Sequence, residues 1–494
     1  MTAQMTASRY TLLVGVVIAK ILLAALMPLT GDEAYFVLWG QHPALGYYDH
    51  PPLAGWWLAL ILPLSDHVLA VRFAAIAVSL VPAILVFQAL RASPEAQWPA
   101  TLVALFSPLF FINIFYTTDT WLICFGILAM WSYVRATQDE SALFYLLCGL
   151  CLGLAFFSKY LAVLIGLGMV VEQIVSGRRF VRNLLLILLA VFPFVALNLW
   201  WNVTHCGYNL MFNLVNRQSD ASWDLTGPLT YALMLLYVLT PWLVLGVLRQ
   251  RPSIASIDRS ADVWRWLWII PGLVLLLVSL IKPIGLHWVI PIMFAFLMAI
   301  RWSSWSLRSI RWAMFATVSF GIIHYAILMG VAVFPVERWI QPDRADRVGF
   351  YRYGDEIGID LNARYDASWI IASPSYSRAA TMSYHTKRDV PVFGQGSRYG
   401  RQSDLLFDLT RAPESKVAIV GSTAAELESF EKFFSQAELY NLTSGGNVSY
   451  WVLEGEGLRA DVYATTVIAE IVESFYQIPS WMPVKECEYT NRAR

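Results

Sequence analysis

Hydrophobic runs that are long enough to cross a bilayer, separated by short polar segments, fill the first two thirds of the chain. A membrane-spanning helix needs about 20 predominantly apolar residues. Eleven runs reach or approach this length, near residues 10–29, 68–90, 99–117, 120–136, 142–157, 161–176, 184–203, 227–248, 264–281, 286–300 and 312–334. The pattern therefore predicts an α-helical polytopic membrane protein with about eleven transmembrane helices.

The pattern changes after Phe334, because no later run approaches spanning length. Short β-rich runs at 369–372, 417–420 and 448–453 alternate there with helix-like stretches such as 424–434. Such alternation is typical of a small α/β domain. We therefore predict a membrane domain at residues 1–335, with an outer loop at 30–67, and a C-terminal α/β domain at 336–494.

Arginines indicate which loops face the cytoplasm. They cluster in one alternating set of loops, for example at Arg91, Arg135 and Arg249, whereas the other set carries little beyond Arg217, Lys159 and Lys282. Cytoplasmic loops of membrane proteins carry an excess of Lys and Arg. This rule places the N-terminus inside. The acidic loop, the 204–226 loop and the C-terminal domain then lie outside, which in a bacterial inner membrane is the periplasmic side.

Composition supports a membrane protein and excludes a nucleic-acid partner. The chain is 57% hydrophobic and 14% charged, whereas soluble proteins carry about 25% charged residues. Lys+Arg and Asp+Glu are equal at 35 each, so there is no basic excess. Three of the five cysteines, Cys124, Cys148 and Cys151, lie in apolar runs. The sequence leaves open whether Cys206 and Cys487 pair.

The first outer loop carries the strongest chemical signal. Residues 31–53 read GDEAYFVLWGQHPALGYYDHPPL, directly after the first span. Helix capping explains one carboxylate of Asp32-Glu33, but it does not explain why an acidic residue recurs at Asp49, before His50 and a rigid Pro-Pro. We predict a pocket with a carboxylate base and aromatic walls for a sugar ring. Its catalytic candidates are Asp32 and Glu33, and its donor-binding candidates are Tyr48, Asp49 and His50.

Four further ionisable residues emerge at the outer ends of spans: Asp119, Lys159, Lys282 and His287. Each one alone is explained by a side chain that snorkels to the interface. Together with Arg217, they form a candidate binding site, since cations suit a lipid phosphate and carboxylates suit a hydroxyl nucleophile. The sequence requires no cofactor. Whether a divalent metal binds at Asp32 or Asp119 stays open, because no spacing of ligand residues requires one.

Several motifs along the chain carry a resemblance to a known family. They are Asp-Glu-Ala-Tyr at 32–35, Tyr-Tyr-Asp-His-Pro-Pro-Leu at 47–53, Thr-Asp-Thr-Trp-Leu at 118–122, Phe-Ser-Lys-Tyr at 157–160, His287-Trp288, and the segments 372–384 and 400–404. The chain resembles the GT-C superfamily of polyprenyl-phosphate-sugar-dependent glycosyltransferases. The resemblance is to the bacterial branch related to protein O-mannosyltransferases, lipid A aminoarabinose transferases and rhizobial lipopolysaccharide galacturonosyltransferases.

The resemblance implies roles for individual residues and an activity. Asp32 matches the loop carboxylate regarded as catalytic, Asp119 matches a second acidic position, and His50 stands where other branches carry a lysine. The implied reaction moves a sugar, with galacturonic acid as a candidate, from a polyprenyl-phosphate donor to a hydroxyl of lipid A or lipopolysaccharide core. It takes place at the membrane lipid surface and inverts the anomeric centre.

Other functions stay open, both within the same class of enzyme and outside it. A protein O-glycosyltransferase would use the same donor class with a different acceptor. A transporter or flippase of lipid-linked sugars would line a path with its intramembrane charges, and paired repeats would favour it, but the sequence shows no internal repeat. An assembly protein without catalysis would leave the first-loop carboxylates dispensable.

Overall fold

The computed structural model describes residues 2–177, 180–219, 221–249, 259–335, 339–341, 348–444, 448–482 and 484. Its internal contacts divide the chain into two compact units. The helical unit comprises Met1–Leu26, Arg72–Leu197 and Ala221–Gly330. The α/β unit comprises Met27–Val71, Asn198–Asp220 and Val331–Arg494.

Apolar helices make up the helical unit, and its core consists of their buried aliphatic and aromatic side chains, such as Phe110, Ile127 and Met293. The α-helices that lie wholly or mainly in this unit are Thr2–Leu26, Val68–Val78, Val81–Ala89, Pro94–Phe106, Pro108–Phe111, Thr118–Asp139, Ala142–Ser158, Ala162–Ser176, Phe180–Thr204, Gly227–Leu239, Pro241–Leu248, Arg259–Val278, Ile290–Ala299 and Leu307–Val333. Short 3₁₀ turns at Leu286–Val289 and Trp302–Ser304 complete it.

Each of the eleven predicted hydrophobic runs is largely helical, although several are interrupted and residues 112–117 of the run 99–117 are not helical. By length and composition, four helices in the described part of the chain are long and apolar enough to cross a membrane: Arg9–Leu26, Val68–Ala89, Phe180–Thr204 and Leu307–Val333. A fifth is added if Gly227–Leu239 and Pro241–Leu248, which meet at 91°, form one span. The bend follows from Pro241 at the start of the second helix and from Thr240, whose φ is +62°.

A four-stranded sheet lies in the α/β unit, with strands β1 (Trp369–Ala372), β2 (Lys416–Gly421), β3 (Phe434–Ser444) and β4 (Val448–Leu458) in the order β1-β2-β4-β3. β1 and β2 are parallel, and the other two pairings are antiparallel. Along β2, Val417 and Ile419 enter one buried cluster whereas Ala418 and Val420 enter another. Apolar cover on both faces explains why this strand reads as a continuous apolar run.

The sequence analysis predicted three of the four strands and missed β3. This strand was missed because most of its side chains are exposed or only partly buried, so its apolar residues do not stand out. The predicted helix-like stretch at 424–434 is the helix Ala424–Glu428 followed by the 3₁₀ turn Glu431–Phe433.

The first outer loop and the 198–220 segment belong to the same unit as the sheet. The α-helices of this unit are Gly31–Gln41, Leu53–Ile61, Tyr208–Leu210, Gly354–Arg364, Tyr376–Thr386, Gln402–Leu406, Ala424–Glu428, Ala460–Tyr463 and Ala469–Phe475. π-helical turns at Met211–Val215 and Ala464–Ile468 and 3₁₀ turns at Asn216–Gln218 and Leu409–Arg411 lie between them.

Candidate active site

The first helix of the outer loop, Gly31–Gln41, begins with a capping box. The Glu33 N–H donates to Thr30 Oγ1 (3.2 Å), and the Thr30 N–H donates in return to Glu33 Oε2 (3.1 Å). These bonds satisfy backbone donors that a helix start leaves without partners. Glu33 is fully buried. The capping explanation therefore applies to Glu33 and not to its neighbour Asp32.

Asp32 is exposed, and its carboxylate is held from outside its own helix. The Tyr376 hydroxyl donates to Asp32 Oδ1 at 3.0 Å. A side chain at Gly31 would place its Cβ 2.6 Å from Cβ of Ser377, so the glycine allows the two helices to approach closely enough for this bond. Burial, reinforced by the Asp32 carboxylate, raises the pKa of Tyr376, so its hydroxyl stays a hydrogen-bond donor at neutral pH.

Asp49 lies in a buried ion pair with an arginine that is far away in the chain. Its side chain is 2% exposed, and Arg401 Nη1 donates to its Oδ2 at 3.1 Å. The Tyr35 hydroxyl donates to Oδ1 at 3.4 Å, and His50 Nδ1 lies 3.8 Å from Oδ2. Burial by itself would raise the pKa of Asp49, but His50 and Arg401 outweigh it, and the pKa falls below its usual value. Asp49 is therefore an anion at neutral pH.

Arg401 connects this ion pair to the residue that holds Asp32. Its guanidinium carbon lies 4.3 Å from the ring centre of Tyr376 and 5.7 Å from that of Phe212, as in cation–π contacts. Burial opposes its charge, but Asp49 raises the pKa of Arg401 above its usual value. Asp49, Arg401, Tyr376 and Asp32 thus form a contiguous polar row, which we call the loop carboxylate row.

Tyr48 and Arg217 lie beside this row. Tyr48 is fully buried: its N–H donates to Gln402 Oε1 (2.8 Å), and its hydroxyl accepts from Asn216 Nδ2 (2.7 Å). These hydrogen bonds therefore connect the first outer loop to segments that are far away in the chain. Arg217 is partly exposed, and its guanidinium carbon lies 5.6 Å from the ring centre of Phe212. Burial lowers the pKa of Arg217.

A second group of candidates lies in the helical unit. Lys159 Nζ donates to both oxygens of Asp119, at 2.9 and 2.8 Å. His287 Nε2 lies 3.9 Å from Asp119 Oδ2. Asp119 is buried in the first turn of the helix Thr118–Asp139. Lys282 lies in the turn after Arg259–Val278, and its N–H donates to the Val278 carbonyl oxygen. Asp119 balances the charge of Lys159, whose side chain is 13% exposed.

The structure thus assigns the predicted site residues to two groups. Asp32, Glu33, Tyr48, Asp49, His50 and Arg217 belong to the α/β unit, and Asp119, Lys159, Lys282 and His287 belong to the helical unit. Among the described residues, no three or more His, Cys, Asp or Glu side chains are grouped so as to hold a metal ion. Cys206 is disulfide-bonded, and Cys487 lies outside the described residues.

Sequence reasoning missed Tyr376 and Arg401 as site residues. Both lie in segments that carried the family resemblance, 372–384 and 400–404. Neither segment pointed to a role, because Tyr376 is 344 residues from Asp32 and Arg401 is 352 residues from Asp49. Only folding brings them together.

Comparisons with known proteins concern the fold and the family of the chain. Residues 49–201 match the family described as dolichyl-phosphate-mannose-protein mannosyltransferase. The chain is 31% identical over 182 residues to the lipid A galacturonosyltransferase RgtD of Rhizobium johnstonii (strain DSM 114642 / LMG 32736 / 3841). That match covers 35% of this chain and 38% of the relative's length. Over 91% of this chain and 98% of the other, the fold is similar to the crystal structure of ArnT from Cupriavidus metallidurans in the apo state, with a TM-score of 0.62 and 13% identity.

The fold is that of the GT-C membrane glycosyltransferases, as the motifs predicted: an apolar helical part and a small C-terminal sheet. The fold, the family match and the relative together support the resemblance to the GT-C superfamily that the motifs indicated. It is a multi-pass membrane protein.

Proposed function

We propose that this protein transfers a sugar from a polyprenyl-phosphate donor to a hydroxyl of lipid A or lipopolysaccharide core at the periplasmic face of the inner membrane. Galacturonic acid is the first candidate sugar, because the relative RgtD is named a lipid A galacturonosyltransferase. The family description names a protein acceptor instead. A protein hydroxyl is therefore the second candidate acceptor.

One observation carries the proposal: of the three candidate carboxylates Asp32, Glu33 and Asp49, Asp32 is the one that stays exposed. Glu33 is buried in the capping box, and Asp49 is buried against Arg401. Asp32 alone of the three faces outward, at a helix start and with its orientation set by Tyr376. A general base must reach the proton that it abstracts, and its position must be held.

The reaction follows from this position. Asp32 takes the proton of the acceptor hydroxyl while that oxygen attacks the anomeric carbon from the face opposite the phosphate. The bond between the anomeric carbon and the phosphate oxygen breaks, and its electron pair leaves with the phosphate. A single displacement of this kind inverts the anomeric centre. The leaving phosphate is already an anion, so it needs a cation near it more than it needs a proton.

Several basic side chains are candidates for that contact. Arg217 is partly exposed and lies beside the loop carboxylate row, as does His50. Lys159, Lys282 and His287 are the candidates of the helical unit.

Two observations support the periplasmic orientation. The arginine-rich loops fall on the opposite side from the first outer loop by the positive-inside rule. Cys206, in the 198–220 segment of the same unit, is disulfide-bonded, and structural disulfides persist in oxidising compartments such as the periplasm.

Mass spectrometry of envelope glycolipids tests the proposal. We would compare cells that lack the protein with cells that carry the unaltered chain or the Asp32→Asn variant. Loss of one sugar-mass increment in both the null and the Asp32→Asn cells is expected, and it would identify both sugar and acceptor. An unchanged glycolipid profile together with a lost protein glycan would move the acceptor to protein. A sugar lost in the null strain but restored by Asp32→Asn would contradict Asp32 as the base.

A further inference from the structure

An open apolar groove lies in the helical unit, between the first helix and the helices Val81–Ala89 and Pro94–Phe106. Its volume is about 430 Å³, within the range of roughly 300–1,000 Å³ that is typical of small-molecule sites. Leu13, Val17 and Leu105 are among the side chains that line it. A groove of this composition suits a hydrocarbon chain.

Two arginines, Arg9 and Arg91, line the same groove. The guanidinium carbon of Arg9 lies 5.2 Å from the ring centre of Trp98, which also lines it. No acidic side chain is among the described residues that line the groove, and neither arginine forms an ion pair with a described residue. An apolar groove that is lined by two arginines is complementary to a molecule with an anionic head and an apolar tail.

The groove also lies on the arginine-rich side of the chain. Arg9 flanks the first span and Arg91 follows the second, in the set of loops that the positive-inside rule places in the cytoplasm. The cytoplasmic leaflet is rich in anionic lipids, and basic pockets between membrane helices on that side bind their headgroups.

We propose that this groove is a binding site for an anionic phospholipid of the cytoplasmic leaflet. Arg9 and Arg91 bind the phosphate, and one acyl chain lies along Leu13, Ile84 and Phe87. The site is independent of the proposed transfer reaction, because it uses none of the candidate catalytic residues. Its occupant is a lipid of the bilayer and not a substrate.

Native mass spectrometry of the purified full-length protein in detergent tests the headgroup. The probes are phosphatidylglycerol and phosphatidylcholine with the same acyl chains. Each arginine near an anionic lipid surface contributes about fivefold to binding, so Arg9→Gln and Arg91→Gln should each weaken phosphatidylglycerol binding about fivefold. The control is Arg135→Gln, because Arg135 is exposed, pairs with Asp139 and does not line the groove. Equal binding of the two lipids, or undiminished binding to the double variant, would overturn the proposal.

A second variant separates a lipid in the groove from a lipid that is merely attracted to surface charge. Ile84 lines the groove and is 52% exposed, so Ile84→Trp fills apolar space while it keeps both arginines. We expect weaker binding of both lipids with the preference for phosphatidylglycerol retained. If Ile84→Trp binds phosphatidylglycerol as strongly as the unaltered chain, the acyl chain does not lie in this groove.

Discussion

At the scale of single residues, the neighbours Asp32 and Glu33 differ in environment although both are acids at one helix start. Glu33 is buried and closes the capping box with Thr30, whereas Asp32 is exposed and accepts from Tyr376. A carboxylate near a helix N-terminus is stabilised by the helix dipole, and this applies to both. Of the two, only Asp32 is exposed, as a general base must be; its role as the base and catalytic assistance from Glu33 both stay predictions.

We predict that Asp32→Asn lowers turnover by about 10²–10⁴-fold, the typical contribution of a general base. The free energy of unfolding should fall by no more than about 1 kcal/mol, because the side chain is exposed and asparagine loses the charge at the helix start but keeps an oxygen that accepts from Tyr376. The matched control is Glu33→Gln, since glutamine also closes a capping box. Transfer assays with both purified variants check this, and an equal loss in Glu33→Gln would assign a chemical role to both acids.

We predict that the Tyr376 hydroxyl affects turnover only through its hydrogen bond to Asp32. Tyr376→Phe removes the 3.0 Å bond but keeps the ring on which Arg401 lies. We expect turnover to fall about tenfold, since a hydrogen bond to a charged group contributes about 1.5–3 kcal/mol, with little change in KM for the acceptor. Tyr384→Phe in the same helix is the control, because that hydroxyl donates to the Asp66 carbonyl oxygen instead. Equal losses in the two variants would indicate a general packing effect.

At the scale of elements, two helices meet at the candidate base. Gly31 begins one of them, and its missing side chain leaves room for Ser377 in the other. Gly31→Ala would place the new Cβ 2.6 Å from Ser377 Cβ and 3.3 Å from Tyr351 Cε1, so one helix must shift. We expect the free energy of unfolding to fall by about 1–3 kcal/mol. Turnover of the folded protein should fall as well, because Tyr376 moves away from Asp32.

Gly15→Ala is the control for this substitution, because an added Cβ at Gly15 in the first helix meets nothing within 4 Å. It should leave activity unchanged and stability equal or slightly higher. Thermal unfolding and transfer assays on the two variants distinguish the outcomes. A fully active Gly31→Ala protein would show that this close approach does not position the base.

The buried pair of Asp49 and Arg401 joins the outer loop to the helix Gln402–Leu406. Removal of one partner leaves a buried charge uncompensated, which costs about 3–5 kcal/mol. We therefore expect Arg401→Gln to lower the melting temperature strongly and the double variant with Asp49→Asn to recover part of the loss. Strictly additive losses in a double-mutant cycle would contradict an energetic pair.

The pair also predicts a pH dependence. The pKa of Asp49 is lowered in the folded protein, so its contribution to stability is complete above the unfolded-state pKa of about 3.9. It is lost as the pH falls through the folded-state value. The contribution of Asp49 to the free energy of unfolding should therefore be constant from neutral pH down to about pH 4 and should decline below that pH. Melting temperatures measured against pH should show a smaller acid decline for Asp49→Asn than for the unaltered chain.

At the scale of the whole molecule, the C-terminal segment and the first outer loop form one unit, and each supplies part of the loop carboxylate row. Asp32 and Asp49 come from the loop, whereas Tyr376 and Arg401 come from the segment after Val331. The C-terminal region is therefore part of the candidate site.

The proposed orientation can be tested with introduced cysteines. Leu225 lies in the loop predicted to be outside and is 83% exposed, whereas Leu307 begins a helix on the arginine-rich side and is 42% exposed. A membrane-impermeant maleimide should label Leu225→Cys in cells with a permeabilised outer membrane, and it should label Leu307→Cys only after the inner membrane is opened. The reverse pattern would contradict the orientation.

The sequence predicted helices and strands better than it predicted contacts between residues that are distant in the chain. All eleven hydrophobic runs are largely helical, and β1, β2 and β4 were predicted, because burial imposes a hydrophobic pattern that can be read locally. β3 was missed because it has few buried side chains. The cluster of Asp119, Lys159 and His287 could be anticipated, since all three residues lie at helix ends on one predicted side.

The amino-acid sequence by itself predicted a helical membrane protein that resembles the GT-C superfamily, with an acidic first outer loop. It did so because hydrophobic run length and short motifs are local properties of the chain. Tertiary structure decided that Tyr376 holds the exposed Asp32 and that Arg401 holds the buried Asp49. Those outcomes depend on contacts between segments more than 300 residues apart, whose formation no local pattern records.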